Sequence, residues 1–348
     1  MAWSIIVGNG LSIDASIHSG INESPSTPWN WPLLNPYDQR SKLLDVFPRL
    51  KCYLEKLRVT ERGGVYEALQ GIVFETNKRP IFTHLEKPTD NDYVHIEACH
   101  YLRIAYAWFS DQIPTECIVD WDWTKWLERN ASEIETVLSY NYDIIFEKAM
   151  RIAHLGKVYG SSRQNPMFGP EFSPIPPEVY WDETKGDIRV VHVAKPHGSC
   201  NFTGIMFREV TDSNGVKKDL YPIDGVFMLR DNSLKVLIGK EMYRPVHSAD
   251  LILPGEWPCW GSSESTVVAW AAEQKGHFIN ESAHGDKLLV AGFGYGEPDK
   301  EEFDSIVAKL PKFNRVCVVN PNPPKLLIRL LQKKCIGEVE VSSLPPNE

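Results

Sequence analysis

Five short apolar segments, each followed at once by glycine or polar residues, constrain the fold of this chain most strongly. They occupy positions 3–7 (WSIIV), 135–139 (ETVLS), 189–194 (RVVHVA), 287–291 (KLLVA) and 315–319 (RVCVV). Each has the length of a strand and is rich in β-branched residues. Nearly continuous apolar runs of this kind are typical of strands buried on both faces of a parallel sheet.

Segments with helical spacing alternate with these strands. We predict helices over 93–109, 123–130, 144–153, 300–309 and 325–334. Strands that alternate with helices indicate an α/β fold, here a Rossmann-like, mostly parallel sheet with helices on both faces. The glycine-rich stretch 8–12 is predicted to be a turn, 156–187 a loop, and the last residues (SSLPPNE) a loose tail.

The domain organisation follows from where the strands lie. The 348 residues, 43% of them hydrophobic, are enough for one large core that carries insertions. We interpret 21–130 as a mainly helical insertion and 203–285 as a smaller mixed insertion. The core of a single domain is then drawn from four segments: 1–20, 131–150, 188–202 and 286–348.

Charge and hydropathy exclude some classes of function. A net charge of −9 disfavours a protein that grips nucleic-acid backbones over a wide surface. No segment approaches the roughly 20 apolar residues that span a bilayer, so we expect no membrane partner. The sequence starts MAWSIIVGNG, without a basic leader, which predicts a cytoplasmic protein.

The seven cysteines are scattered and include no C-x-x-C pair. This argues against a disulfide framework and against a four-cysteine zinc site. His95 and Cys99 lie one helical turn apart and could share a metal. No further ligand is evident nearby, so we interpret them as part of a buried helix face. The sequence therefore predicts no metal.

Other titratable residues receive ordinary interpretations from the sequence alone. His277 and His284 stand in no recognisable metal-binding spacing. Glu301 and Glu302 fall in the first turn of a predicted helix, where they suit the positive end of the helix dipole. None of the four is predicted to take part in chemistry.

Polar segments follow all five predicted strands. In order they read GNGLSID, YNYD, KPHGS, GFGYGEPD and NPNPP. Ligands of open α/β sheets bind outside the carboxyl ends of the strands, so these segments are expected to gather at one site. The first is not the usual dinucleotide fingerprint G-x-G-x-x-G, because Ile13 occupies the third glycine position. A hydroxyl at Ser12 and bare glycine backbone remain able to approach a phosphate.

These five segments, in this order, resemble the sirtuin-type NAD-binding domain. They are most similar to its bacterial antiphage branch, which hydrolyses NAD. The resemblance covers roughly 1–20, 131–150, 188–202 and 286–334, and leaves both insertions uncovered. It implies an NAD glycohydrolase that takes NAD as substrate, releases nicotinamide and ADP-ribose or a cyclic form, and defends against phage by depleting NAD.

The resemblance also implies roles for residues after the first strand. Four residues match the loop that cradles the phosphates of NAD: Gly8, Asn9, Gly10 and Ser12. Asp14 lies beside this loop. Two interpretations of it stay open, a contact to ribose and a cap on the next segment.

Further roles fall on the other polar segments. Asn141 matches the asparagine beside the nicotinamide ribose, and Asp143 an aspartate that supports its loop. His197 matches the catalytic histidine. Residues at the adenosine end of NAD are also implied: Gly292 and Gly294 in a turn that admits the ribose, and Asn320 near the adenine ribose.

Elementary chemistry is consistent with these roles for Asn141 and His197. Cleaving the bond between nicotinamide and ribose develops positive charge on the sugar, and nicotinamide leaves as a neutral molecule, so no strong acid is needed. Asparagine orients a hydroxyl or a water without adding charge. Histidine, with an ordinary pKa near 6.5, accepts a proton. The alternative for His197 is a loop histidine that is satisfied by backbone groups.

Other functions remain open from the sequence. Deacylating sirtuins typically hold a structural zinc with two C-x-x-C pairs, which this chain lacks. A deacylase or an ADP-ribosyltransferase is therefore the weaker enzymatic alternative, and a non-catalytic sensor of NAD or ADP-ribose is another. Because a constantly active NAD hydrolase is toxic, we expect control by a homo-oligomer or a partner defence protein. The tryptophan-containing insertion 21–130 is the candidate surface.

Overall fold

A parallel sheet organises the part of the chain that the structure describes. The computed structural model describes residues 2–21, 43–57, 71–72, 90–159, 189–204, 208–211, 217–220, 234–236, 251, 253 and 266–347. The chain separates into two compact units. The first comprises 1–26, 108–197 and 270–348, and the second 27–107 and 198–269. The single-domain organisation with two insertions stays a prediction.

Seven strands form the sheet of the first unit. They are β1 (Trp3–Val7), β2 (Ile134–Ser139), β3 (Leu155–Tyr159), β4 (Arg189–Ala194), β9 (Lys287–Ala291), β10 (Arg315–Val319) and β11 (Val339–Ser342). Their order is β11-β10-β9-β1-β2-β4-β3, and every neighbouring pair is parallel. The predicted α/β, Rossmann-like fold class is confirmed.

The short strands numbered between these belong to the second unit. They are β5 (Phe202–Gly204), β6 (Arg208–Thr211), β7 (Lys217–Leu220) and β8 (Leu234–Val236). β5 pairs with β8 and β6 with β7, both antiparallel. The segment 221–229 (YPIDGVFML), whose sequence also predicts a short strand, lies outside the described residues.

The helices within the described ranges have the following bounds. They are α1 (Asn9–His18), α2 (Pro48–Lys56), α3 (Asp90–Gln112), α4 (Thr115–Asp120), α5 (Asp122–Asn130), α6 (Ile145–Ile152), α7 (Thr266–Ser282), α8 (Glu297–Lys309) and α9 (Lys325–Gln332). Short 3₁₀ turns cover Leu43–Val46 and Ala131–Glu133. Among the described residues, no helix is long and apolar enough to cross a membrane.

Helices cover both faces of the sheet because alternate residues of each strand point to opposite faces. On one face, Ile6 of β1 belongs to a buried cluster with Phe303 of α8 and Leu327 of α9. On the other, the Trp3 ring meets Trp126 of α5 edge-on, with ring centroids 5.6 Å apart. All five residues of β1 are buried, which explains its nearly unbroken apolar sequence.

The central strand β1 is the point where the chain changes direction across the sheet. From β1 the chain passes to β2 on one side and later returns to β9 on the other. Val7 is level with Ser139 of β2 and with Ala291 of β9. The segments after these three strands therefore start at the same height. Such a switch point is where open α/β sheets bind ligands.

Three predictions about local structure were wrong. The turn predicted over 8–12 is instead the start of α1, which begins at Asn9 after Gly8 in an extended conformation. The loop predicted from 156 contains most of β3. The tail is anchored, since the Trp126 indole N–H donates to the Pro346 carbonyl at 3.0 Å.

Candidate functional site

At the carboxyl end of the sheet, the segment Gly8–Gly10 that leads from β1 into α1 touches the glycine turn after β9. A Cβ on Gly10 would lie 2.7 Å from Gly292 Cα, and one on Gly8 would lie 2.9 Å from the Gly292 carbonyl oxygen. Gly292 has a φ of +63°, in the left-handed region, and a Cβ there would overlap the Leu11 nitrogen. These three glycines are therefore required by the contact between the two segments.

This contact uses backbone donors at the start of α1. The Gly8 N–H donates to the Ala291 carbonyl at 2.9 Å, and the Gly10 N–H donates to the Gly292 carbonyl at 2.7 Å. Asn9, the other member of the predicted phosphate loop before Ser12, is the first residue of α1. The amides of Gly8 and Gly10 thus join the segment after β1 to the turn after β9.

Ser12, Asn141 and Asp143 form one buried hydrogen-bond chain. The Asn141 amide (Nδ2) donates to Ser12 Oγ at 3.0 Å, and the Ser12 hydroxyl donates to Asp143 Oδ2 at 2.6 Å. Asp143 Oδ1 accepts from the Ile145 N–H at 3.1 Å, at the start of α6. Asn141 Oδ1 is buried and has no hydrogen-bond partner among the described residues. The structure thus joins three predicted site residues and leaves one amide oxygen available.

A fully buried lysine holds the loop after β2. The Lys195 ammonium donates to the Asp143 carbonyl and to Glu147 Oε1, each at 2.6 Å. Burial raises the pKa of Asp143 above its ordinary value, although Ser12 and Lys195 oppose the shift. Lys195 therefore anchors the backbone of the loop that carries Asn141, and the role of Asp143 stays a prediction.

His197, three residues after the end of β4, is held by the Glu302 carboxylate of α8. Its Nε2 lies 2.6 Å from Glu302 Oε2, and its Nδ1 lies 3.9 Å from Asp299 Oδ1, too far for a hydrogen bond. Burial alone lowers the pKa of His197, but the carboxylates of Glu302 and Asp299 outweigh burial and raise it above 6.5. Because Glu302 fixes a proton on Nε2, Nδ1 is the atom that gains and loses a proton.

Glu302 has a second cationic partner. The Lys275 ammonium of α7 donates to Glu302 Oε1 at 2.7 Å, and both side chains are buried. Burial alone raises the pKa of Glu302, but His197 and Lys275 outweigh it and hold that pKa at about 2. Burial also lowers the pKa of Lys275. Glu302 is thus a permanent anion that orients the imidazole.

This ion cluster predicts a specific loss of stability in acid. The pKa of Glu302 falls from 4.5 to about 2 on folding. Its contribution to the free energy of unfolding is therefore complete above pH 4.5 and is lost as the pH falls toward 2. We expect this loss to be on the order of a few kcal/mol. Urea unfolding followed by tryptophan fluorescence between pH 2 and 5 should show a steeper loss for wild type than for Glu302→Gln.

The comparison with the variant isolates Glu302 from other buried carboxyls. Burial raises the pKa values of Asp143 and Asp299, so in both proteins their protonation stabilises the folded state as the pH falls. This effect is opposite to that of Glu302. Parallel profiles for wild type and Glu302→Gln would show that Glu302 is not held as an anion.

Tyr140 connects the Asn141 loop to His197. Its ring lies edge-on to the imidazole, with centroids 5.0 Å apart, and 5.1 Å from the Phe293 ring. Burial raises the pKa of Tyr140 well above 10, and the carboxylates of Glu302 and Asp299 add to this. The phenol is therefore neutral. Its buried hydroxyl oxygen has no hydrogen-bond partner within the described ranges.

The remaining predicted residues lie farther along the same edge. Asp14 is exposed on α1, and its Oδ2 accepts from the Trp121 indole N–H at 2.8 Å, so it does not cap a segment. Asn320 donates from Nδ2 to the Phe293 carbonyl at 3.1 Å and ties the turn after β10 to the turn after β9. Gly294 is exposed, with open space where a Cβ would stand.

Sequence reasoning missed several residues that surround His197. Glu302 was interpreted as a helix-dipole residue, and Lys275, Asp299 and Tyr140 received no role. Glu302 and Lys275 lie 105 and 78 positions from His197 along the chain, so no local pattern reveals the contact. Tyr140 offered a signal, because it opens the polar segment YNYD at the end of β2.

Comparison with known proteins finds structural similarity to Sir2 homologues. No family model and no curated protein matches the sequence. A Sir2 homologue in complex with NAD shares 12% identity, with 98% of this chain and 83% of that chain covered and a TM-score of 0.34. A mutant Sir2 homologue in complex with ADP-ribose shares 12% identity, with 97% and 85% covered and a TM-score of 0.29.

Proposed function

We propose that this chain is a sirtuin-like NAD glycohydrolase that splits NAD into nicotinamide and ADP-ribose or a cyclic form. One observation carries the proposal. Three buried oxygens have no hydrogen-bond partner in the described part of the chain: Tyr140 Oη and Asp299 Oδ1, whose residues lie beside His197, and Asn141 Oδ1, in the same loop as Tyr140. Buried polar atoms are nearly always paired, so a group of them beside a titrating histidine supports a site for a polar substrate.

The site lies at the carboxyl ends of the strands, where open α/β sheets bind ligands. Asn141 and His197 each come three residues after the level pair Leu138 and Ala194 of neighbouring strands β2 and β4. Both thus follow the carboxyl ends of adjacent strands on one side of the switch strand β1. The five polar segments follow one another in an order that resembles the sirtuin-type domain. This resemblance is the reason for proposing NAD as the substrate.

The residues of the site suit hydrolysis. Water adds to the ribose carbon as the electrons of the carbon–nitrogen bond leave with neutral nicotinamide, and the water gives up one proton. Nδ1 of His197 accepts this proton, and the available Asn141 oxygen orients the water or a ribose hydroxyl. His197 must start neutral, so we expect activity to rise as the pH increases through its raised pKa.

We assign the adenosine end of NAD to the turns after β9 and β10. Gly294 is exposed there, and Asn320 fixes the geometry of both turns through Phe293. Gly8, Asn9, Gly10 and Gly292 shape the backbone between the two ends. Ser12 and Asp143 act through Asn141, and Asp14 borders the site.

The direct test is release of nicotinamide from NAD by the purified chain. We expect one nicotinamide and one ADP-ribose equivalent for each NAD consumed, with specific activity rising with protein concentration if assembly controls the enzyme. Chromatography of the products at pH 8 measures this. NAD binding without nicotinamide release at any concentration would indicate a sensor. Release only with an acyl-lysine peptide would indicate a deacylase.

We propose that the activity serves bacterial antiphage defence by depletion of NAD. The resemblance of the five segments to the antiphage branch supports this role. A homo-oligomer or a partner defence protein would restrain the enzyme, with 21–130 as the candidate surface. Light scattering that shows a fully active monomer without a partner would count against such control.

A further inference from the structure

A second cluster of titratable residues lies in the first unit, apart from the hydrogen bonds around His197. It joins His192 of β4 to His277 and Glu281 of α7. One potential ligand atom from each of the three residues lies within 4.8 Å of the other two. The two imidazole rings have centroids 4.3 Å apart, at an angle of 64°. Two imidazoles and a carboxylate are a ligand set that zinc uses in proteins.

The two ligands on α7 are arranged by the helix itself. His277 and Glu281 are four residues apart, so they lie on the same face one turn apart. His277 Nε2 lies 3.9 Å from Glu281 Oε1. Their side chains are 18% and 24% exposed, which gives an ion a path from solvent. The helix thus presents a ready pair of ligands to the strand beneath it.

His192 supplies the observation that points to a ligand. Its Nδ1 is buried and, within the described part of the chain, has no hydrogen-bond partner. A buried polar nitrogen without a partner carries an uncompensated desolvation cost. The His192 ring also contacts the His277 ring, with centroids 4.3 Å apart. A cation bound by His192, His277 and Glu281 would give the buried nitrogen a partner.

We propose that His192, His277 and Glu281 bind a divalent transition-metal ion, with zinc as the representative ion. Zinc binds nitrogen and oxygen ligands at about 2.0–2.2 Å with tetrahedral geometry, so its ligands stand roughly 3.3–3.5 Å apart. The ligand atoms here lie up to 4.8 Å apart. Side-chain rotations that move these atoms by about an ångström would bring them to the spacing that zinc requires. Water completes the fourth position. This inference departs from the sequence prediction of no metal, which considered neither His192 nor Glu281.

The bound ion would clamp β4 to α7. Lys275, which holds Glu302, is two residues before His277, and His197 is five residues after His192. The three ligands therefore act as positioning residues for the Lys275–Glu302–His197 cluster. The metal site itself does not depend on the proposed NAD chemistry, because it rests on different residues.

Zinc binding to the metal-free full chain tests this proposal. After dialysis against a chelator, zinc is titrated in competition with a chromophoric chelator, and thermal unfolding is recorded with and without zinc. We expect one zinc per chain and a higher midpoint of unfolding in its presence. His277→Asn and Glu281→Gln should each weaken zinc binding at least tenfold and remove the stabilisation.

Two control variants locate the zinc. His18→Ala removes an exposed histidine of the same unit. Cys99→Ser removes the thiol of the pair His95 and Cys99, which the sequence offered as a possible metal site. Both should bind zinc as wild type does. Circular dichroism of each metal-free variant shows whether it folds. The proposal is overturned if wild type binds no zinc, if folded His277→Asn and Glu281→Gln bind it unchanged, or if Cys99→Ser loses it.

Discussion

Replacing His197 with alanine should lower nicotinamide release from NAD at least about a hundredfold, because proton transfer by a positioned side chain typically contributes 10²–10⁴-fold. The variant lacks Nδ1 as proton acceptor, while Glu302 keeps its hydrogen bond to Lys275. Initial rates of nicotinamide release at saturating NAD and pH 8 measure the effect.

The control for this variant separates chemistry from folding. His284→Ala removes an exposed histidine and should keep the rate of wild type. His197→Gln retains a polar side chain that can pair with Glu302 but cannot accept the proton, so it should be as inactive as His197→Ala. If a folded His197→Ala protein releases nicotinamide at the wild-type rate, His197 has no catalytic role.

The second large effect concerns the contact between Gly8–Gly10 and the glycine turn after β9. Gly292→Ala should lower the free energy of unfolding by about 3 kcal/mol or more. The left-handed φ of +63° alone costs a non-glycine residue about 1–3 kcal/mol, and the added Cβ would also overlap Leu11 and Gly10. Denaturant unfolding followed by tryptophan fluorescence measures the loss.

Gly294→Ala is the matched control, two residues along the same turn. Open space stands where its Cβ would go, and its φ does not fall in the left-handed region. We expect a change below about 1 kcal/mol. Equal losses for the two variants would mean that the turn tolerates substitution generally and that the contact with Gly10 is not what demands glycine.

The sequence predicted the inner strands well for a physical reason. Helices cover both faces of the inner strands, so β1, β9 and β10 are nearly continuous apolar runs and match their predicted bounds. The edge strands β3 and β11 lack this signature. β3 reads LGKVY, and β11 reads VEVS with both polar residues at least partly exposed. Their pairing depends on the strand beside them, which no local pattern encodes.

The candidate site was predictable only where it follows the strands. Asn141, Asp143 and His197 were found because each lies just beyond a carboxyl end. Glu302 and Lys275 come from helices, and their role depends on the packing of α7 and α8 against the loop after β4. Gly8, Gly10 and Gly292 were predicted because glycine lets the backbone approach NAD. In the structure, the backbone at Gly8 and Gly10 instead packs closely against Gly292.

That close approach between Gly10 and Gly292 decides where an elongated ligand can lie. In a typical doubly wound sheet the two loops at the switch point part and leave a cleft between them. Here main-chain hydrogen bonds bridge this gap. A dinucleotide bound as proposed, with one end toward His197 and the other toward Asn320, would cross over these hydrogen bonds instead of lying between the two segments.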